Sequence, residues 1–365
     1  MSDAVPIRSV EPIVLRIPFR DGGSGMGITP NRWDTLDIVL VRVEAEDGLV
    51  GWGEAFGYVC WRAVAAAVAD MVGPLAVGRA IADVQAFNLE AQRRLHLFGR
   101  HGITIFALSG LDIALWDLAA KRRGVGLASL ITDAPRVRLP AYTSLVRYGD
   151  PALVARFAGQ AAREGFGHVK LHEITRETIA PGRDAMGSGP RLMVDVNGAW
   201  NEAEAAAMIP FLRDVDTLWL EEPVFPPDDF AALARLGRAG LAISAGENVT
   251  TAHDFARVLD AVTYAQPSVT KIGGVSEFLS VLRDAAARGR TLMPHSPYFG
   301  PGYWATLHLT ATLPEGALIE HLYVEPEASC GVDAPWPEGG VLRLPEGVGI
   351  GFSPDPAVVE RYRVL

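Results

Sequence analysis

Beyond Leu139 the chain settles into a rhythm in which short apolar runs alternate with Ala- and Leu-rich stretches of helical period. The runs are PAYTSL, HVKLHE, RLMVDVN, TLWLEEP, AISAGE, YAQPSV, TLMPHS and LIEHLY. Eight such runs are what a closed parallel barrel needs. Polar residues stand near the C-terminal ends of seven of them: His172, Asp195, Glu221, Glu247, Ser268, His295 and Glu320, at separations of 21 to 27 residues. A strand, a loop, a helix and a return loop occupy about that length. Solvated strand ends account for one or two of these residues. They do not account for an acid or a histidine recurring at the same phase. In a barrel the C-terminal strand ends converge on one mouth, where catalytic groups sit. The pattern therefore predicts an α/β fold, a (β/α)8 barrel of the TIM type over residues 136–324.

The first part of the chain has a different period. Residues 5–56 alternate as antiparallel strands, clearest in TLDIVLVRVEAEDGLVGWGEAF, with Asp47-Gly48 as a hairpin turn. RAVAAAVADMV, IADVQAFNLEAQRRL and ITIFALSGLDIALWDLAAKRR then read as helices. A sheet followed by helices predicts an α+β unit over residues 1–135, ending near the break ITDAPRVRLP. The Gly- and Pro-rich tail, 325–365, is too short for a domain of its own and is expected to pack back on that first unit.

Composition narrows the functional classes. Of the 365 residues 49% are hydrophobic, enough for a large core, and the formal net charge of −10 leaves no basic stripe for nucleic acid. The N-terminal MSDAVPIRSVEP has no signal-peptide pattern, and the apolar stretches read as too short and too charge-broken to span a bilayer. Cys60 and Cys330 match no metal or redox spacing and read as small buried hydrophobes in a reducing compartment. A cytoplasmic homo-oligomer acting on a small molecule is expected.

Asp195, Glu221 and Glu247 end three successive strands. Three carboxylates at one mouth repel one another unless a cation stands among them, and a hard divalent ion with oxygen ligands resolves this. The alternative is three separate surface acids paired with arginines. At this point the segments VKLHE, LMVDVNGAW, WLEEP, SAGEN, KIGGVSE and PHSPYFGPG, with ALSGLDIALWDLAAK, resemble the mandelate racemase/muconate lactonizing enzyme group of the enolase superfamily. The resemblance runs in order from about residue 10 to the end. It implies an α+β capping domain over the barrel, completed by the C-terminal tail, and Mg2+ held by Asp195, Glu221 and Glu247. It also implies removal of the proton next to a carboxylate, giving an ene-diolate whose charge the ion and nearby cations stabilise.

The family's second-strand Lys-x-Lys reads here Lys170-Leu171-His172, both polar residues on one side of the strand. The resemblance places Lys170 against the substrate carboxylate and makes His172 the base, a residue type that titrates near neutrality without retuning. His295 matches the seventh-strand histidine of the mandelate racemase type, as base or as acid for a leaving group. That histidine is ordinarily oriented by a sixth-strand aspartate, whose position is Ser268; the muconate-lactonizing lysine is absent from the same position. His295 is thus expected to lack a carboxylate partner, with Ser268 orienting it at most by a hydrogen bond. Glu320 matches an acid near the substrate carboxylate, expected to be protonated there. Asn197 and Lys271 are further candidates for substrate contact. The loops Asp21–Trp33 and Gly57–Arg62 are expected to form the specificity lid, where Asn31, Arg32, Tyr58, Trp61 and Arg62 suggest a polar, hydroxylated acid. Gly22, Gly23, Gly25 and Gly27 match no phosphate loop and read as part of a mobile lid.

These readings converge on an acid-sugar dehydratase. A racemase, epimerase or lactone cycloisomerase shares the ene-diolate and differs in its fate. A barrel that binds sugar acids without turnover is the third possibility, which Ser268 favours and the complete carboxylate set opposes.

Overall fold

The computed structural model describes residues 4–25 and 32–365, so Gly27 and Asn31 of the expected lid lie outside the described residues. Strands β1 (Ile7–Arg20), β2 (Thr35–Ala45) and β3 (Val50–Ala55) form an antiparallel sheet. The β2–β3 hairpin turns through Asp47-Gly48: Gly48 takes φ +85°, and the Asp47 carboxylate accepts the Leu49 N–H at 3.2 Å. Alternation along β2 divides its side chains between two cores. Leu36, Ile38 and Leu40 pack into the core shared with the barrel, whereas Val39, Val41 and Val43 pack against the helices of the first unit.

The longest of those helices, Ile103–Arg123, ends on Lys121, Arg122 and Arg123, whose charge complements the C-terminal end of its dipole, and stops at Gly124 with φ +67°. At 21 residues it is long and apolar enough to span a bilayer, which corrects the expectation that no stretch is. Its apolar surface is nevertheless mostly buried within the fold. Gly53 of β3 rests directly on it; a Cβ there would lie 2.0 Å from the Gly110 carbonyl.

The eight predicted runs become eight parallel strands: β4 (Arg138–Ser144), β5 (His168–Leu171), β6 (Arg191–Asp195), β7 (Thr217–Glu221), β8 (Ile243–Ala245), β9 (Tyr264–Ala265), β10 (Thr291–Leu292) and β11 (Ile319–Leu322). β11 pairs with β4 in parallel. Between β10 and β11, Ser296 bridges the seam: its N–H donates to Glu320 Oε2 at 2.9 Å and its hydroxyl to the Glu320 carbonyl at 3.0 Å. Tyr142, Met193, Trp219, Met293 and Leu318 form a separate buried cluster. Because side chains repeat every second residue along a strand, the last four stand two residues before Asp195, Glu221, His295 and Glu320. The plug and the mouth are thus successive layers on the same inward faces. Truncating Trp219, which is fully buried, is expected to cost about 3–5 kcal/mol.

The tail pairs with both units. β12 (Glu325–Pro326) extends the sheet at β1, and β13 (Val341–Arg343) runs antiparallel to β4. The final residues hold Val14 from both sides, with its N–H donating to the Leu365 carbonyl and its carbonyl accepting from Val364.

Candidate active site at the barrel mouth

Asp195 and Glu221 close β6 and β7 in direct register. Glu247 follows β8 after Gly246, whose φ of +130° turns the chain where a Cβ would meet the Phe255 ring at 2.7 Å. One oxygen from each of the three lies within 4.8 Å of the others. Asp195 and Glu221 are fully buried, and the Glu247 side chain is 12% exposed. Burial raises all three carboxyls, but they end differently. Lys170 and His172 outweigh burial at Asp195, and His295 and Lys271 outweigh it at Glu247, so both are held low. Glu221 is pushed well above the carboxylate range, by burial first and by Asp195 next. Five acids meet here, counting Glu222 and Glu320, and among the described residues only Lys170 and Lys271 bring a fixed positive charge against them. The donor set, hard oxygens in a site short of positive charge, fits a divalent cation such as Mg2+.

Lys170 lies beneath the cavity floor, fully buried. Its ammonium is 3.2 Å from Asp195 Oδ2, 2.9 Å from Glu221 Oε1 and 3.0 Å from Glu320 Oε1. Burial lowers it, yet Glu221 and Glu320 more than compensate and hold it raised and charged. His172 stands higher on the same strand face. Its Nδ1–H donates to the Leu145 carbonyl, and its Nε2 is 3.1 Å from Asp195 Oδ2. A carbonyl can only accept, so this bond fixes the tautomer and leaves Nε2 as the functional nitrogen.

His295 differs from expectation. Its Nδ1 meets Ser268 Oγ at 3.1 Å, and Tyr298, hydrogen-bonded to the same hydroxyl, is 3.4 Å from that nitrogen. Its Nε2, however, lies 3.0 Å from Glu247 Oε2, so the ring does have a carboxylate partner, on its other edge. The missing sixth-strand aspartate is replaced by a hydroxyl pair, and the carboxylate comes from the acidic triad. Glu320 also departs from expectation. Burial raises its carboxyl, but Lys170, His295 and the Ser296 N–H outweigh it, and it is held low, an acceptor rather than a protonated donor.

Above these groups opens a cavity of about 460 Å³. His172, Asn197, Glu247, Lys271, His295 and Glu320 reach its wall; Lys170, Asp195, Glu221 and Ser268 stand behind it. Lys271 donates to Asn248 Oδ1 at 2.9 Å and lies 3.7 Å from Glu247. The first unit supplies the opposite wall through Trp33, Leu36, Ile38, Phe56 and Tyr58. Trp61 does not belong to it. That ring is buried among the helices of the first unit, with Arg62 stacked 4.0 Å over it, and Arg32 pairs with Asp34 away from the wall. Arg32, Trp61 and Arg62 therefore say nothing about substrate polarity.

Glu222, Tyr298 and Arg147 are among the wall residues that the sequence did not single out. Glu222, the second acid of WLEEP, receives Asn248 at 3.3 Å on each oxygen; burial and then Glu247 push it well above the carboxylate range. Tyr298 belongs to PHSPYFGPG. Arg147 follows β4, the one repeat to which no polar end residue was assigned. The doublet Glu221-Glu222 and that unassigned repeat were the available signals. Asn197 and Glu222 both take left-handed backbone, φ +46° and +39°, an uncommon cost that clusters at functional sites.

The chain matches known families over most of its length. Residues 153–358 match the family described as Enolase C-terminal domain-like, and residues 26–132 match the Mandelate racemase / muconate lactonizing enzyme, N-terminal domain. The D-galactonate dehydratase of Ralstonia nicotianae is 31% identical over 371 residues, covering 92% of each chain. The 3,6-anhydro-D-galactonate cycloisomerase of Zobellia galactanivorans superposes with a TM-score of 0.87 at 26% identity, over 99% of this chain and 100% of that one. A mandelate racemase/muconate lactonizing protein from Paracoccus denitrificans PD1222, crystallised with magnesium, gives 0.86 at 25% identity over 98% of each.

Proposed function

Because this chain belongs to the mandelate racemase/muconate lactonizing enzyme family of the enolase superfamily, we propose that it is an acid-sugar dehydratase. It takes the proton next to the carboxylate of a small hydroxylated acid and expels the β-hydroxyl as water. The observation that carries this reading is a pair of histidines lining the cavity from different strands, each with Nε2 turned to a different member of the carboxylate triad, as suits action on opposite faces of the substrate.

Asp195, Glu221 and Glu247 would hold Mg2+, and the bound ion supplies positive charge beside the carboxylate on which negative charge develops. His172, with its Nδ1 proton committed to Leu145, receives the α-proton at Nε2. His295 has the complementary role: as imidazolium, with its Nδ1–H donating to the Ser268 hydroxyl oxygen, it can deliver the Nε2 proton to the departing hydroxide and return to the neutral ring. Lys170 supports the floor by holding Asp195, Glu221 and Glu320 in place. Asn197 and Lys271 contact substrate from the wall.

A cycloisomerase is the second reading, favoured by the end-to-end match to the Zobellia enzyme. Turnover of an acid-sugar library with Mg2+, followed by semicarbazide detection of keto acids, separates the two. Keto acid supports the dehydratase. α-Deuterium exchange in D2O without keto acid favours isomerisation, and neither result on any acid overturns both.

The same reading divides the chain into a capping unit, 1–135, a catalytic barrel, 136–324, and a tail, 325–365; the gap between the two family matches supports the first boundary. A homo-oligomer is supported by the exposure of Leu89, Leu97 and Phe98, at 61%, 81% and 64%. A cytoplasmic setting is supported by the two free thiols.

A further inference from the structure

We infer that Arg147 selects a substrate with a second carboxylate, at the end remote from the reacting one, so that the preferred acid is a sugar diacid. This rests on the proposed proton abstraction only for the identity of the reacting end.

Arg147 lies three residues beyond β4, partly buried, on the cavity wall. Its Nε donates to the His172 carbonyl at 2.6 Å, and its Nη2 to the Val196 carbonyl at 3.2 Å and to Asn197 Oδ1 at 3.3 Å. All three acceptors are neutral. The other basic groups of the mouth each face a carboxylate: Lys170 three of them, Lys271 and His295 Glu247, and His172 Asp195. Among the described residues Arg147 has no carboxylate within 4.0 Å. A guanidinium cannot shed its proton, so this charge persists, partly desolvated and without a counter-ion. Its remaining donors, the two N–H of Nη1, are left to meet an anionic oxygen end-on.

Position decides which carboxylate. The triad and Lys170 lie at and beneath the floor, where the reacting end belongs. Arg147 binds the His172 and Val196 carbonyls and the Asn197 side chain just past the strand ends, the latter two residues lying one and two positions beyond Asp195. It therefore addresses the part of a ligand that rises from the floor along the wall. An aldonate offers only a hydroxyl there and leaves the charge unmatched; an aldarate offers a carboxylate.

The test is equilibrium binding by calorimetry, with Mg2+ present, of matched six-carbon aldonates, aldarates and 6-phosphoaldonates. The aldarate should bind at least about tenfold more tightly than its aldonate. Arg147→Gln should bring that ratio to within about threefold of unity, and Arg147→Lys, which keeps the charge, should retain part of it. A ratio near one in the unmodified protein overturns the inference, as does a ratio that Arg147→Gln leaves intact. Preference for the phosphorylated acid over the diacid overturns the carboxylate assignment. The ratio is read within each variant, so a variant that binds both acids less well remains informative. α-Proton exchange on the same ligands separates the two readings. Diacid preference without exchange would sink the proton-abstraction proposal and leave the anion site standing; exchange on aldonates with no diacid preference does the reverse.

Discussion

Ser268 Oγ stands 3.1 Å from His295 Nδ1, at the sequence position where the family pattern carries an aspartate. The same hydroxyl is bonded to Tyr298, whose own oxygen is 3.4 Å from the ring nitrogen, so two neutral hydroxyls share the orienting task. The negative charge that would have come from the aspartate reaches the opposite ring edge from Glu247.

If the two hydroxyls substitute for each other, their removal is not additive. Ser268→Ala and Tyr298→Phe should each lower kcat about threefold, and the double variant at least about a hundredfold, because only then does Nδ1 lose every partner. A double variant whose loss equals the product of the single losses would show that the hydroxyls act independently.

Loss of one triad charge should be visible without any substrate. Asp195→Asn, Glu221→Gln and Glu247→Gln should each weaken Mg2+ binding by at least about a hundredfold in calorimetry, with the far-UV circular dichroism unchanged. Near-normal affinity in all three would place the ion elsewhere.

The histidines should fail differently. His295→Asn should still exchange the α-proton with D2O, because His172 keeps Nε2 as acceptor, yet yield less than about a hundredth of the keto acid. His172→Asn should lose both. NMR of recovered substrate reads the exchange, and the opposite pattern would reverse the two roles.

Stability toward acid has a separate source in His308. Burial pushes this imidazole down to about 4, and its Nδ1 accepts the Ala128 N–H at 3.1 Å. A free histidine titrates near 6.5, so between those values the unfolded chain binds the extra proton and the folded one does not. Stability therefore falls as pH drops from about 6.5 toward 4, and this ring adds no pH dependence above that window. Between pH 7 and pH 5 the loss should be about 2 kcal/mol, and urea unfolding of His308→Asn should lack that share while losing some packing at both pH values. Parallel pH slopes for the two proteins would show that the ring is not held neutral by the fold.

The sequence by itself determined the barrel and its mouth. A strand period of two puts Met193 and Asp195, Trp219 and Glu221, and Leu318 and Glu320 on common faces. A repeat of constant length brings those faces to one end, whatever the loops do. It also carried the triad, because Asp195, Glu221 and Glu247 need only their places at successive strand ends to converge. Tertiary structure decided what each polar group meets. Lys170 was readable as inward-facing, but its position under the floor depends on Glu320, 150 residues away in the chain and adjacent only once β11 closes on β4. Trp61 and Arg62 read as lid residues, but the Trp61 ring turned into the first unit, where a helical core offered apolar burial, and Arg62 stacks over it on the exposed surface. His295 was expected to lack a carboxylate, since local order shows only the serine in the aspartate's place; the Glu247 contact joins the segments after β8 and β10, across the end of β9. Arg147 stayed invisible for the same physical reason. Its charge matters only because no carboxylate among the described residues comes within 4.0 Å of it, and that is a property of the packed chain rather than of any segment.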